Sequence, residues 1–585
     1  MCYNKEKRKG VNAMRLQVSK TKNAASFYVT KSVYTNGKRT SKVVEKLGTY
    51  AALKEKLGDQ DPYEWAENYV AELNRREKEG KEPDVIAKYS PSKVIKKGEQ
   101  RSFNGGYLFL QQLYHELGLH KICNKITDKY RFDYNLNSIL SRLLYGRILF
   151  PSSKLSTYEL SSGLIEPPDF ELHQIYRALE VIAKETDLIQ AALYENSLSV
   201  SKRNTGILYY DCTNYFFEIE QEEGLKQYGY SKEHKPNPIV QMGLFMDGDG
   251  IPLAFSITPG NTNEQITLKP LEKKILSDFA LSKFVVCTDA GLASTSNRRF
   301  NDRAGRAFIT TQSIKKLKGF LKEWALDPKG WNLEGNTELY DIRDLDEETC
   351  KEKLFYKERW IKESDLEQKL IVTYSIKYRD YHRKIRDSQI QRALDTLDKN
   401  PSKMKKQNPN DYKRFIQKTS CTGEGEIADK EIYSLNADLI EKEAAFDGFY
   451  AVCTNLDEDT TEITRINRRR WEIEECFRIL KDVFKARPIY LKRDDRITAH
   501  FTTCFMALLI YRLLEKKLKN EFTCDTIIRS LRDMNFLESK GYGYIPTYTR
   551  TDFTDALHEA FEFRTDYEIV TLKQMKKICK ATKTQ

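Results

Sequence analysis

The sequence predicts a layered α/β fold, and three observations predict it. Short apolar, strand-like runs at 206–211, 239–247, 251–257 and 284–287 fall in one stretch, with helical segments after the third and the fourth. Residues 105–199, before that stretch, have helical periodicity throughout. A further apolar strand at 446–454 is followed by an amphipathic helix, after about 135 intervening residues rich in charge. At 585 residues the chain is too long for one core, and three to five domains are expected.

Taken in order, residues 1–60 read as an N-terminal β-hairpin region. Ser26-Phe-Tyr-Val-Thr-Lys-Ser-Val-Tyr34 is strand-like, Asn36-Gly37 signals a type I′ turn, and Thr40 to Leu47 returns. Residues 61–104 read as a charged linker helix that fades into a flexible stretch, and 105–204 as a helical module opened by Leu108, Leu110, Leu113 and Leu117. Such a module before a catalytic domain suits DNA binding, while a plain packing role fits the pattern equally well. Residues 205–310 hold three strands (the third after the turn Gly248-Asp-Gly250), a helix through Leu268 to Ser277, the strand Phe284 to Cys287, a helix after Ser296 and the strand Arg306 to Thr310. Three antiparallel strands, a helix and a central strand resemble the opening of a ribonuclease-H-like fold. Residues 311–445 read as a β-rich insertion domain that interrupts this core and includes a solvated basic loop, Lys403 to Arg414. The core resumes over 446–520, and 521–585 is a helical, basic C-terminal region.

Composition narrows the classes. The 97 Lys and Arg exceed the 85 Asp and Glu by 12, a balance that suits nucleic acid, although a well-solvated basic surface would look the same. The 11 cysteines are scattered, with no C-x-x-C pair, as expected of reduced thiols in a cytoplasmic protein. The start, Met1-Cys-Tyr-Asn-Lys-Glu-Lys-Arg-Lys, lacks the apolar core of a signal peptide. The run Phe505-Met-Ala-Leu-Leu-Ile-Tyr511 is far shorter than the ~20 residues of a membrane span, so it is expected to be a buried core helix and no membrane partner is expected.

Three carboxylates carry the chemistry. Asp211 ends the run Gly206-Ile-Leu-Tyr-Tyr-Asp211, Asp289 follows Phe284-Val-Val-Cys-Thr288, and Glu474 lies within Arg470-Trp-Glu-Ile-Glu474-Glu-Cys-Phe-Arg-Ile-Leu-Lys481. One aspartate after an apolar strand is commonly a turn or cap residue; the case rests on the order strand, strand, helix. Brought together by folding, Asp211, Asp289 and Glu474 could hold two Mg²⁺ ions, with Mn²⁺ able to substitute, for attack on a phosphodiester. The segment Asn467–Phe484 reads as one amphipathic helix. Ile473, Phe477, Leu480 and Phe484 form its buried stripe, and Arg470, Glu474, Arg478 and Lys481 form a second stripe in which a carboxylate sits between cations. That suits a metal ligand flanked by phosphate-binding groups, although taken alone the helix reads first as an exposed face laced with ion pairs. Glu475, about 100° around the helix, is the rival ligand. Trp471 reads as a core residue, with stacking on a displaced base as the alternative.

The spacing Arg470-x3-Glu474-x6-Lys481 resembles the Y-x2-R-x3-E-x6-K signature of DDE transposases from bacterial insertion sequences, with Asn467 where that family has its tyrosine. Asp211-Cys-Thr213 resembles the first-aspartate motif and Asp289-Ala-Gly291 the second. Gly229-Tyr-Ser-Lys232, Gly250-Ile-Pro252, Pro259-Gly-Asn261 and the segment from Pro488 to His500 are similar to members with a long insertion before the glutamate. The resemblance implies a transposase that binds the terminal inverted repeats of its element, cuts there with two metal ions shared by Asp211, Asp289 and Glu474, and joins the freed 3′-hydroxyl to target DNA. It further implies DNA contacts from Arg470, Lys481, Arg478 and Trp471, a homodimer in the active complex, and a bacterial, nucleoid-associated setting. The asparagine at 467 removes a hydroxyl that in the family helps hold a DNA-end phosphate. A ribonuclease-H-like nuclease without strand transfer and a non-catalytic, transposase-derived DNA-binding protein are the alternatives. His115-Glu-Leu-Gly-Leu-His120 has one residue too many for a zinc-protease motif, and no P-loop, G-x-S-x-G or zinc-type His/Cys spacing occurs.

Overall fold

The computed structural model describes residues 14–21, 24–35, 38–58, 60–80, 89–399, 411–421 and 430–584. The chain divides into two compact units, Met1–Val94 and Ile95–Gln585. In the first, β1 (Arg15–Thr21), β2 (Ala24–Thr35) and β3 (Lys38–Thr49) form an antiparallel sheet in that order. The β2–β3 register, Ser26↔Thr49 to Thr35↔Lys38, covers the hairpin read at 26–48, whose Asn36-Gly37 turn lies outside the described residues. β1 is an addition; its apolar residues, Leu16 and Val18, alternate over too short a run to stand out. α1 (Tyr50–Leu57) is capped by the Thr49 side chain, and α2 (Pro62–Gly80) begins on a proline, whose missing N–H is unneeded there. Both helices cover one sheet face: Phe27, Leu53 and Ala66 are buried, with Leu16, Val18, Leu47, Tyr63 and Trp65 packed around them.

The second unit opens with β4 (Ser102–Asn104) and six helices: α3 (Tyr107–Glu116), α4 (Leu119–Tyr130), α5 (Leu136–Leu149), α6 (Lys154–Ser161), α7 (Leu172–Lys184) and α8 (Thr186–Val200). A meander follows, β5 (Ile207–Phe216), β6 (Ile239–Asp247) and β7 (Pro252–Pro259). After α9 (Leu268–Asp278), β8 (Val285–Thr288) lies parallel to β5; after α10 (Thr295–Phe300), β9 (Ala307–Thr311) lies parallel to β8. The stretch 311–445 supplies α11 (Gly319–Leu326), β10 (Trp331–Leu333), β11 (Asn336–Tyr340), β12 (Phe355–Glu363), β13 (Leu366–Tyr374), α12 (Ile376–Lys399), β14 (Ile416–Cys421), β15 (Lys430–Leu435) and α13 (Ala437–Ala444). Most of the basic loop Lys403 to Arg414 lies outside the described residues. β16 (Phe449–Thr454) then inserts between β9 and β13, so one sheet of ten strands runs β11-β10-β12-β13-β16-β9-β8-β5-β6-β7. Strands from 311–445 thus continue the central sheet, while β14 and β15 pair separately.

The remaining elements are α14 (Thr460–Arg468), α15 (Trp471–Arg478) with a π-turn at Ile479–Val483, α16 (Asp494–Lys517), α17 (Cys524–Asp533), β17 (Asn535–Ser539), β18 (Gly543–Pro546), α18 (Asp552–Phe561), β19 (Val570–Thr571) and α19 (Leu572–Ala581). The tail is therefore not purely helical. Its three short strands join β4 in a sheet ordered β19-β18-β17-β4, and runs of two to five residues are too brief to show a period in sequence. α16 is the core helix read from Phe505–Tyr511. By length and composition it could cross a membrane, but 89% of its apolar window is packed inside the protein. Phe501 lies edge-on to Tyr215 of β5, with centroids 4.9 Å apart, and Phe505 lies 5.0 Å from Phe255 of β7.

Alternation along β5 decides which side chains meet the site. Leu208, Tyr210 and Cys212 join the core with Leu268, Leu271 and Ile275 of α9, whereas Tyr209 and Tyr215 join the core with Ile473, Phe477 and Phe501 of α15 and α16. Asp211 and Thr213 have the same parity as Tyr209 and Tyr215, so they belong to the face covered by α15.

Candidate active site

Asp211 does not end its strand, as the sequence suggested. β5 runs on to Phe216, and Asp211 stands mid-strand. The parallel β5–β8 register pairs Ile207↔Val285, Leu208↔Val286 and Tyr209↔Cys287. Continued by two residues it sets Asp211 opposite Asp289, which follows the end of β8, on neighbouring strands about 4.8 Å apart. The two carboxylates repel across that gap. Burial pushes the Asp211 carboxyl up to about 6, the Lys232 ammonium opposes the rise, and Asp289 adds to it. The Asp211 carboxylate accepts from the Cys212 N–H at 2.7 Å, and that of Asp289 from the Leu292 N–H at 3.0 Å. Two adjacent carboxylates, one largely desolvated, form a donor set for hard divalent cations.

The helix read over Asn467–Phe484 is interrupted twice. Tight i→i+3 bonds, Arg470 N–H to the Asn467 carbonyl and Ile473 N–H to the Arg470 carbonyl, both 3.2 Å, separate α14 from α15. Downstream, Phe484 N–H reaches back five residues to the Ile479 carbonyl at 2.9 Å. The apolar stripe survives: Ile473, Phe477, Leu480 and Phe484 are all buried. The polar stripe does not. The π-turn holds an extra residue, and Lys481 leaves the line of Arg470, Glu474 and Arg478 to donate to Thr213 Oγ1 of β5 at 2.6 Å. There Lys481 also lies 3.6 Å from Glu233 and over the Tyr215 ring. Burial, then the nearby Lys232 charge, hold its ammonium down to about 8.

Glu474 is exposed and its carboxylate lies 3.6 Å from Arg470 Nη1. Its rival Glu475 is held by Arg478 at 2.5 Å, which also engages the cation assigned to phosphate. Trp471 is 61% exposed, which overturns the core reading. With Glu474, Arg470, Asn467, Tyr378 and Tyr450 it lines a cavity of about 510 Å³. Asn467 is buried, and its amide N–H donates to the Tyr450 hydroxyl at 3.1 Å. The amide N–H is thus engaged by Tyr450.

Sequence reasoning quoted Lys232 within a motif but gave it no role. Its ammonium donates to the Cys212 carbonyl at 2.5 Å, pairs with Glu264 at 3.1 Å and is the strongest charge acting on Asp211. Gly229 lets this loop lie down: a Cβ there would collide with the Gly260 carbonyl, while a Cβ at Gly260 would collide with the Gln227 and Ile239 carbonyls, which explains the glycines of Gly229-Tyr-Ser-Lys232 and Pro259-Gly-Asn261. Lysine with glycine three residues earlier was the only signal, and it does not specify a partner.

The oxygens of Asp211, Asp289 and Glu474 are not all within 4.8 Å of one another; among the described residues, the trio that meets that distance is Asp555, His558 and Asp566. That trio is a poor cation site. Arg564 pairs with Asp555 at 2.9 Å and Asp566 at 2.6 Å, and Arg550 with Asp555 at 2.8 Å, so both carboxylates are already neutralised. Thr565 N–H donates to His558 Nε2 at 3.2 Å, which leaves the hydrogen on Nδ1, the nitrogen facing Asp566. It is an ion-pair network that ties α18 to the chain after it.

Two carboxylates on adjoining parallel strands, with a third on a later helix, offer the oxygen ligands that hard divalent cations take. Residues 216–510 match the family described as Transposase DDE domain, and the chain belongs to that family, whose members generally use divalent metal ions. The match includes Asp289 and Glu474 and begins five residues after Asp211. Among solved structures the chain is similar to a cryo-EM structure of the piggyBac transposase synaptic complex with hairpin DNA, at TM-score 0.36 and 7% identity, over 83% of this chain and 88% of that one. Comparison with curated proteins finds no match.

Proposed function

We propose that this transposase binds the terminal inverted repeats of a bacterial insertion sequence and carries out metal-dependent strand cleavage and strand transfer on a ribonuclease-H-like core. The observation that carries the reading is the β5–β8 register, which sets Asp211 beside Asp289 on the face covered by α15. Asp211, Asp289 and Glu474 are the residues that would hold Mg²⁺ or Mn²⁺. Bound there, the ions supply Lewis-acid activation of the attacking hydroxyl and stabilise the leaving 3′ oxygen. The chain's own part is to position the DNA. Lys481, fixed by Thr213 and half-buried, offers a point charge to a phosphate beside Asp211. Arg470, its Nε buried without a partner among the described residues, offers a planar fork once Glu474 turns to metal. Trp471 and its cavity offer a stacking surface. On this reading the active complex is a homodimer on element ends and target DNA, working in the bacterial cytoplasm with the nucleoid.

The test uses purified protein, a duplex carrying the inverted repeat that flanks the gene, a target plasmid and Mg²⁺. Nicking at the 3′ end and joining into plasmid by wild type, and neither by Asp211→Asn, is the expected result. Cleavage without joining would replace the reading with a nuclease. Tight end binding without cleavage would leave a DNA-binding relic.

A further inference from the structure

Charge in this chain is concentrated where no function has been assigned. The first 49 residues hold 12 Lys and Arg against 2 Asp and Glu, a balance of +10 out of +12 for all 585 residues. Residues 50–80, which form α1 and α2, hold 5 against 8, a balance of −3. The N-terminal unit therefore has basic and acidic parts: residues 15–49, which include β1 to β3, hold 8 Lys and Arg against 1 Glu, and the helices are acidic.

The register shows what the sheet presents. Leu16, Val18, Phe27 and Leu47 face the helices. The opposite face carries Arg15↔Thr30, Gln17↔Tyr28, Ser19↔Ser26 and Tyr28↔Lys46 as cross-strand neighbours. Arg15, Gln17 and Lys46 are exposed, and among the described residues neither Arg15 nor Lys46 forms an ion pair. Glu45, the only acid within strands β1 to β3, points the other way: it pairs with buried Val29 and accepts from the Tyr69 hydroxyl of α2 at 3.2 Å. Among the described residues, the open face thus holds cations, hydrogen-bonding side chains and, opposite Thr30, the exposed Val43, but no carboxylate.

We propose that this open sheet face, with Arg15, Gln17, Tyr28 and Lys46 at its centre, docks in the major groove of duplex DNA and is the part of the protein that recognises the element's ends. The B-form major groove, about 12 Å wide, admits a two-stranded β-ribbon, and three strands at about 4.8 Å spacing span about 10 Å, within that width. The A-form RNA groove is too narrow and deep for it. Arg15 and Lys46 meet phosphates; Gln17 offers the paired donor and acceptor that match adenine. Recognition is thereby moved from the helical module 105–204 to the N-terminal sheet.

The inference rests on the transposase reading, and the test separates the two. Full-length wild type, Arg15→Glu/Lys46→Glu, Gln17→Ala and Asp211→Asn are titrated with a duplex from the gene's flank, a scrambled duplex and duplex RNA across a salt series, with thermal melts as the check on folding. Cleavage of the flank duplex is read alongside. The double reversal is expected to weaken flank binding by roughly tenfold or more and to lower the salt slope by about 1.8, two phosphate contacts' worth, at an unchanged melt. Gln17→Ala is expected to bind while losing preference for flank over scrambled DNA. Unchanged affinity and slope in the double reversal, with Asp211→Asn still abolishing cleavage, would overturn the sheet proposal and leave the transposase intact. Equal or tighter binding to duplex RNA would overturn it too. No binding and no cleavage by wild type would overturn both readings, whereas cleavage by Asp211→Asn beside a weakened double reversal would overturn only the catalytic assignment.

Discussion

At the scale of single residues, the site combines acids that repel with cations that hold them. Asp211→Asn, Asp289→Asn and Glu474→Gln are each expected to abolish strand cleavage while DNA binding persists, measured by gel cleavage and anisotropy on one duplex; full cleavage by any of the three would remove that residue from the site. Lys481→Ala is expected to weaken DNA binding and flatten its salt slope by about 0.9, because the half-buried ammonium is fixed on Thr213 at 2.6 Å. That Asp211 lies on a strand, Asp289 just after one and Glu474 on a helix could be read from sequence. The partners could not: Lys232 reaches Asp211 and Lys481 reaches Thr213 through a loop and a π-turn, and helical spacing wrongly aligned Lys481 with Glu474. Trp471 was misplaced for a similar reason, since an aromatic between two charged residues looks the same buried or exposed.

At the scale of elements, packing makes two further expectations. Glu272 of α9 is fully buried, bonded to Asn301 at the end of α10 and 3.6 Å from Arg306 before β9. Burial pushes its carboxyl up to about 7, with Asn301 and Arg306 opposing. The folded protein therefore holds this proton more tightly than the unfolded chain does, and stability is lost as pH rises from about 4.5 to about 7. Glu272→Gln, which stays neutral, is expected to melt higher than wild type at pH 8 and level with it at pH 4.5; a lower melt at pH 8 would contradict the sign. Phe505→Ala in α16 removes a ring that is 1% exposed and packed against Phe255, and is expected to cost about 3–5 kcal/mol in urea denaturation. Strands with strong apolar runs, such as β6 with all nine residues buried, were legible in sequence. β1, β4 and β17 to β19 were not: these runs are too short or too weakly patterned to show a period, and β4 is in addition held by β17, more than 400 residues away.

At the scale of the molecule, the stretch 311–445 reads in sequence as a separate insertion, yet β10 to β13 extend the sheet that carries Asp211 and Asp289. Sheet membership is a long-range property: β16 pairs with both β9 and β13, and neither pairing leaves a mark on the local sequence. One consequence is that the cavity beside Glu474 is walled by Ile371 and Thr373 of β13 and by Tyr378 of α12, so residues of this stretch border the third carboxylate. The central claim is that Asp211, Asp289 and Glu474 hold the catalytic cations, although among the described residues the His/Asp trio whose ligand atoms all lie within 4.8 Å of one another is Asp555, His558 and Asp566. Iron-directed backbone cleavage tests it most directly. Fe²⁺ replaces Mg²⁺ in the protein bound to flank duplex, ascorbate and peroxide are added, and the cut positions are mapped. Cuts near 211, 289 and 474 together, all lost in Asp211→Asn, are the expected result. Cuts confined to 555–566, or unchanged in Asp211→Asn, would contradict the account.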